Sequence, residues 1–129
     1  MAASASIPSF PPDHASPERG RISVAQLRKD LGISRERMAR LLDVSARTIQ
    51  RWEEQDQLPS NRWVMQVLVD VQNIVDLGLQ VFEPRGVRLI MTTPQPGFGN
   101  KSGLDLVEAG RAGEVFGYLA GAYEGFLGT

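Results

Sequence analysis

ISRERMARLLDVSARTIQRWEE, residues 33–54, is the stretch whose reading decides the fold. Its first half puts Met38, Ala39 and Leu42 on one helical face, and its second half does the same with Ile49 and Trp52. Apolar residues at three- and four-residue spacing mark amphipathic helices. Ser34 and Ser45 stand just before the two runs, where a hydroxyl accepts a hydrogen bond from an otherwise orphaned backbone N–H. The spacing therefore predicts one helix from Arg35 to about Leu42 and another from Ser45 to about Gln55. Only Asp43 and Val44 are left to connect them. So tight a turn needs a small residue where the helices cross, which Ala39 supplies. It also needs a residue that tolerates left-handed backbone, a role Asp fills better than most.

Working outward, Ser23 is expected to cap an earlier helix that runs to about Leu31, with Val24, Leu27 and Leu31 inward and Gly32 ending it. Residues 1–20 hold Ala, Ser and Pro without an apolar period, the composition of a disordered lead. Downstream, Leu58, Pro59, Ser60 and Asn61 mark a break. A long amphipathic helix follows, carrying Val64, Val67, Leu68, Val71, Ile74, Val75 and Leu79. Pro84 suits the first residue of a short helix reaching about Met91. The prolines and glycines of TTPQPGFGN, residues 92–100, predict a loop without helix or central strand. Ser102 and Asp105 form an S-x-x-D helix start for a segment running to Gly110. A last helix is expected over about Gly113–Leu127. No segment alternates as a strand would. The fold class is all-α, divided as a lead (1–20), a first helical unit (21–63) and a second (64–129).

Composition narrows the function. The chain has no cysteine, which excludes disulfides and thiolate metal sites. Its one histidine, His14, lies in the lead, away from any nucleophile it could activate. The carboxylates after residue 64 show no metal-ligand spacing. KSG at 101–103 lacks the upstream glycine of a phosphate loop. Neither an enzyme, a metal nor a cofactor is suggested. The N-terminus has no basic region before an apolar run, and no uninterrupted apolar stretch reaches a membrane-spanning length, so the expected location is cytoplasmic. The net charge of −1 conceals a division: residues 21–63 carry nine bases against six acids, and residues 64–129 carry four against seven. A basic and an acidic half suggest different partners, nucleic acid for the first.

Residues 33–54 meet the requirements of a helix-turn-helix. The segment resembles the helix-turn-helix of Xre-type regulators down to the S-x-x-T-I-x-R-W-E ending, with Asp43 where that family's turn usually has Gly. The resemblance implies that the helix after Ser45 enters the major groove. Ser45, Ala46, Arg47, Gln50 and Arg51 would then face base edges or phosphates, and Ser34 and Arg35 the DNA backbone. Arg can form two bonds to guanine and Gln two to adenine. The plainer alternative is that this stripe is a solvated face. Trp52 reads as core rather than as a stacking group.

The C-terminus poses a separate question. In GEVFGYLAGAYEGFLGT, Gly113, Gly117, Gly121 and Gly125 recur every four residues. Each interior helical glycine costs about 1 kcal/mol relative to alanine, so a close approach of another backbone, within the chain or across an interface, would have to offset them. The region 92–126 resembles the toxin-binding domain of the Xre–MbcA–ParS antitoxins. Thr93, Pro94, Phe98, Gly99, Ser102, Asp105, Leu106, Gly110, Val115, Leu119, Tyr123 and Gly125 carry the match. Gly103 replaces a usual Pro, which is expected to loosen a helix start, and Ile90–Met91 stands where Trp-Leu is common.

Together the resemblances imply an antitoxin of a type II pair. Its partners would be operator DNA and a cognate toxin, often of the NAD-consuming RES class, held by a homodimer or larger hetero-oligomer. The last helix and tail would cover the toxin's active site through Tyr123, Glu124, Phe126 and Thr129, with Arg111 at the rim. The alternative is a stand-alone regulator whose C-terminal helices only dimerise.

Overall fold

The computed structural model describes residues 22–127; the side chain of Phe126 is not described. The lead at 1–20 and Thr129 lie outside the described residues. Seven α-helices make up the described fold: α1 (Val24–Leu31), α2 (Arg35–Leu42), α3 (Ala46–Gln55), α4 (Arg62–Val81), α5 (Pro84–Thr92), α6 (Gly103–Glu108) and α7 (Ala112–Phe126). The described residues contain no strand, only a single bridge between Gln95 and Lys101. The fold is all-α.

The three serines act as their positions suggest. Ser23, Ser34 and Ser45 accept hydrogen bonds from the backbone N–H of Gln26, Arg37 and Thr48 at 3.1, 3.0 and 3.1 Å. Gly32 closes α1 at φ +68°, and Asp43 closes α2 at φ +57° in the same left-handed region. The long helix starts two residues before Val64, because Asn61 caps it. Its side-chain oxygen accepts from Trp63 N–H at 2.8 Å and Val64 N–H at 3.1 Å. Extended backbone at Phe82 ends α4, and Pro84 opens α5.

Three expectations are corrected by the structure. Within the loop 92–100, Pro96–Phe98 forms a turn of 3₁₀ helix that seats Phe98 in the core. There the Phe98 ring meets Tyr118 edge-on, with centroids 5.1 Å apart. Helix α6 stops at Glu108, because Gly110 turns to φ +77° and Arg111 N–H bonds back to the Leu106 carbonyl at 2.8 Å. The α6 start that Gly103 was expected to loosen is closed by a reciprocal pair. Asp105 N–H donates to Ser102 Oγ (3.1 Å) and Ser102 N–H to Asp105 Oδ2 (3.2 Å).

Gly103 is there for space. A Cβ at this position would lie 2.5 Å from Met91 Sδ and 3.2 Å from both the Ile90 carbonyl oxygen and Met91 Cα. The sulfur can swing aside, but the α5 backbone cannot. The two departures from the antitoxin pattern, at Gly103 and at Ile90–Met91, are thus packed against each other.

One apolar core runs through the whole molecule. Leu27 and Leu31 from α1, Met38 from α2, Ile49 from α3, Leu68 and Val71 from α4, Met91 from α5, Leu104 and Leu106 from α6 and Leu119 from α7 are all fully buried. Helix α4 lies along α7 as its main partner. Of the described helices α4 alone is long and apolar enough to cross a bilayer, but Leu68, Val71, Ile74, Val75, Leu77 and Gly78 are buried in this core. Across the junction of the basic and acidic halves, Arg37 on α2 pairs with Glu108 and, at 3.6 Å, with Asp105 on α6.

Candidate nucleic-acid and protein interfaces

The geometry of α3 follows from one partly buried acid. Glu53 accepts from Arg28 Nε at 2.6 Å, Arg28 Nη2 at 3.1 Å and Arg35 Nε at 3.0 Å. Its side chain is only 6% exposed. Arg28 also donates to the Ile33 carbonyl at 3.0 Å, so a single carboxylate fastens α3 to the end of α1 and the start of α2. Hydrogen bonding from Arg28 comes first among the causes that hold the Glu53 carboxyl below the usual glutamate range, while burial opposes it.

With Ile49 and Trp52 buried, the opposite face of α3 is presented to solvent. Arg47, Gln50 and Arg51 are all exposed there. Gln50 Nε2 donates to Glu54 Oε2 at 3.0 Å. Ser45 is exposed, but its Oγ is engaged with the N–H and hydroxyl of Thr48. Ala46 is half-buried and packs against the core. Ser34 lies exposed at the start of α2 as its cap. Arg35 is shared: its Nε is bound to Glu53 while 43% of its side chain is exposed. The structure therefore gives Arg35 a holding role that its sequence position did not reveal.

The C-terminal candidates do not form one cluster. Arg111 caps α7 without a side-chain cap bond and pairs instead with Glu114, at 2.7 and 2.9 Å. Tyr123 is half-buried against the core, and Glu124 is exposed one residue later. Phe126 ends α7. The glycine ridge is open: a Cβ at Gly113, Gly117, Gly121 or Gly125 would meet nothing within 4 Å. No close backbone approach within the described chain accounts for it. Three exposed apolar residues escaped the sequence reading, Trp63 at 82%, Leu89 and Tyr118. Helical periodicity assigned Trp63 no face, since α4 was expected to begin after it.

Comparison with known proteins settles the basic half. Residues 24–62 match the helix-turn-helix family model. They form a helix-turn-helix domain. Helices α2 and α3 are its paired helices and Asp43 its turn. No curated protein matches the chain. Among solved structures, the chain shares its fold with one in the crystal structure of the M. tuberculosis MbcT–MbcA toxin–antitoxin complex. The match has a TM-score of 0.66 at 24% identity and covers 79% of this chain and 91% of that one. The likeness thus extends well beyond the helix-turn-helix into the acidic half.

Proposed function

We propose that this chain is the antitoxin of a toxin–antitoxin pair, binding a toxin through its acidic half and its own operator through the helix-turn-helix. The observation that carries the reading is the reach of the fold likeness. A helix-turn-helix alone would support any regulator, whereas here the likeness to a chain from a toxin–antitoxin complex spans 79% of the molecule. An exposed α3 face bearing Arg47, Gln50 and Arg51 supports the DNA half. Such domains read paired half-sites as two-fold dimers, so two copies act together, in the cytoplasm where the operator lies.

The toxin is of the RES class, and the antitoxin blocks it by steric occlusion. Tyr123, Glu124, Phe126 and Thr129 cover the mouth of its active site, with Arg111, at the opposite end of α7, at the rim. The open glycine ridge and the exposed Tyr118 on α7 leave this helix accessible along its outer side. The test is capture of the tagged chain from cells carrying its natural operon. Co-purification of the adjacent gene's product is expected, with NAD hydrolysis appearing once the two are separated. Recovery of the chain alone would favour a stand-alone regulator.

A further inference from the structure

Gln50 and Glu54 stand one turn apart on the exposed face of α3. Side chains on a helix lean toward its N-terminus, so each covers the turn before its own position. Glu54, near the C-terminal end of α3, reaches back in this way, and its Oε2 accepts from Gln50 Nε2 at 3.0 Å. An ionised carboxylate only accepts, so the NH₂ side of the Gln50 amide must be the side turned to Glu54. On open surface such a pair is weak. Between the helix and a groove, where water is displaced, the lower dielectric strengthens it.

We infer that Glu54 sets the base specificity of Gln50, making it a reader of adenine that rejects guanine. The inference rests on the reading of α3 as the helix in the major groove. Both purines offer the N7 acceptor there, but adenine carries the N6 donor where guanine carries the O6 acceptor. An untethered glutamine amide can serve either base. It pairs Oε1 and one Nε2 hydrogen with adenine, or turns both Nε2 hydrogens to N7 and O6 of guanine.

With one hydrogen committed to Glu54, a single donor and Oε1 remain. That set matches adenine. Against guanine it leaves O6 facing an acceptor, and a desolvated acceptor without a donor is costly. Rejection of the wrong base thus adds to recognition of the right one. Glu54 is a positioning residue, acting on the DNA only through Gln50. A carboxylate on the face that carries Arg47 and Arg51 works against phosphate attraction, so its contribution is to selectivity rather than affinity.

The experiment is an anisotropy titration of the full chain against its own promoter fragment and against single A·T-to-G·C replacements along that fragment. Wild type, Gln50→Ala, Glu54→Ala and the double variant are compared. All four should melt closely alike, because both side chains are exposed. Positions read by Gln50 are those where replacement weakens wild type by about tenfold or more and leaves Gln50→Ala unaffected. There, Glu54→Ala is expected to cut the penalty to about threefold or less, with penalties elsewhere unchanged. The double variant should match Gln50→Ala, since the two residues act as one unit. The ratio between fragments is the readout, because removing a negative charge strengthens binding to every fragment alike. A full penalty in Glu54→Ala, an equal loss of discrimination at every position, or no position that responds to Gln50→Ala would overturn the inference. A wild-type chain that binds its promoter no better than unrelated DNA would overturn it together with the DNA reading beneath it.

Discussion

Alanine at Arg47, Gln50 and Arg51 together is expected to lower affinity for the chain's own promoter DNA by about a thousandfold or more. Each good side-chain contact to a base is worth about 1–3 kcal/mol of discrimination, and three are removed. Gln50 keeps part of its amide free. One Nε2 hydrogen is held by Glu54, which leaves the other and Oε1 to meet the N7 acceptor and N6 donor of adenine. The two arginines are exposed on the same face. Because all three are exposed, the triple variant should melt like wild type, and the loss should appear in titration against promoter fragments. Residual binding should resemble that to unrelated DNA. Binding at wild-type strength would refute the assignment of α3 to the major groove.

The second large effect concerns stability. Replacing Glu53 by alanine leaves Arg28 half-sequestered without its partner and frees the clamp between α1, α2 and α3. Breaking a fully buried ion pair from one side costs about 3–5 kcal/mol. This pair is only part-buried and the Arg35 side chain stays 43% exposed, so the cost is lower, about 2 kcal/mol. In a domain of this size such a loss lowers the melting temperature by several degrees. The same group sets an acid limit. Its folded-state pKa lies below the ordinary glutamate value of 4.5, first through the Arg28 hydrogen bond. A depressed acid contributes its full stability above the unfolded value and loses it as pH falls toward the folded one. Asp105 acts in the same direction, through the Ser102 N–H above all. Denaturant unfolding should therefore show stability falling as pH drops below about 4.5, with a shallower fall in Glu53→Gln. An equal slope in that variant would remove Glu53 from the account.

The pair Glu53–Glu54 shows where sequence stops being legible. In the sequence these are adjacent, identical residues on a helix. In the structure one is the part-buried clamp and the other a surface partner of Gln50. What separates them is Arg28, 25 positions away, and no local pattern carries that information. Trp52 and Trp63 divide in the same way, one buried and one open, because the Asn61 cap resets the register of α4. By contrast, the serine caps, the Asp43 turn and the inward positions of residues 33–54 were readable. Each depends on neighbours within one or two helical turns. Gly103 was misread as a weak start because its reason lies across space, in the α5 backbone and the Met91 sulfur. The exposed polar stripe of α3 was legible on one helix. The uncovered side of α7 was not, since it depends on where the core packs.

The most direct test of the antitoxin reading is growth rescue by the full chain and by a chain ending at Leu119, each co-expressed with the adjacent gene's product. The cut preserves Leu119, the deepest core residue α7 supplies near its end, and removes Tyr123, Glu124, Phe126 and Thr129. The full chain should restore growth, and the shortened chain should fail while still binding promoter DNA, which confirms that it is folded. Equal rescue by the shortened chain would contradict the placement of the toxin contact. Failure of the full chain to rescue a growth-arresting neighbour would contradict the antitoxin function itself.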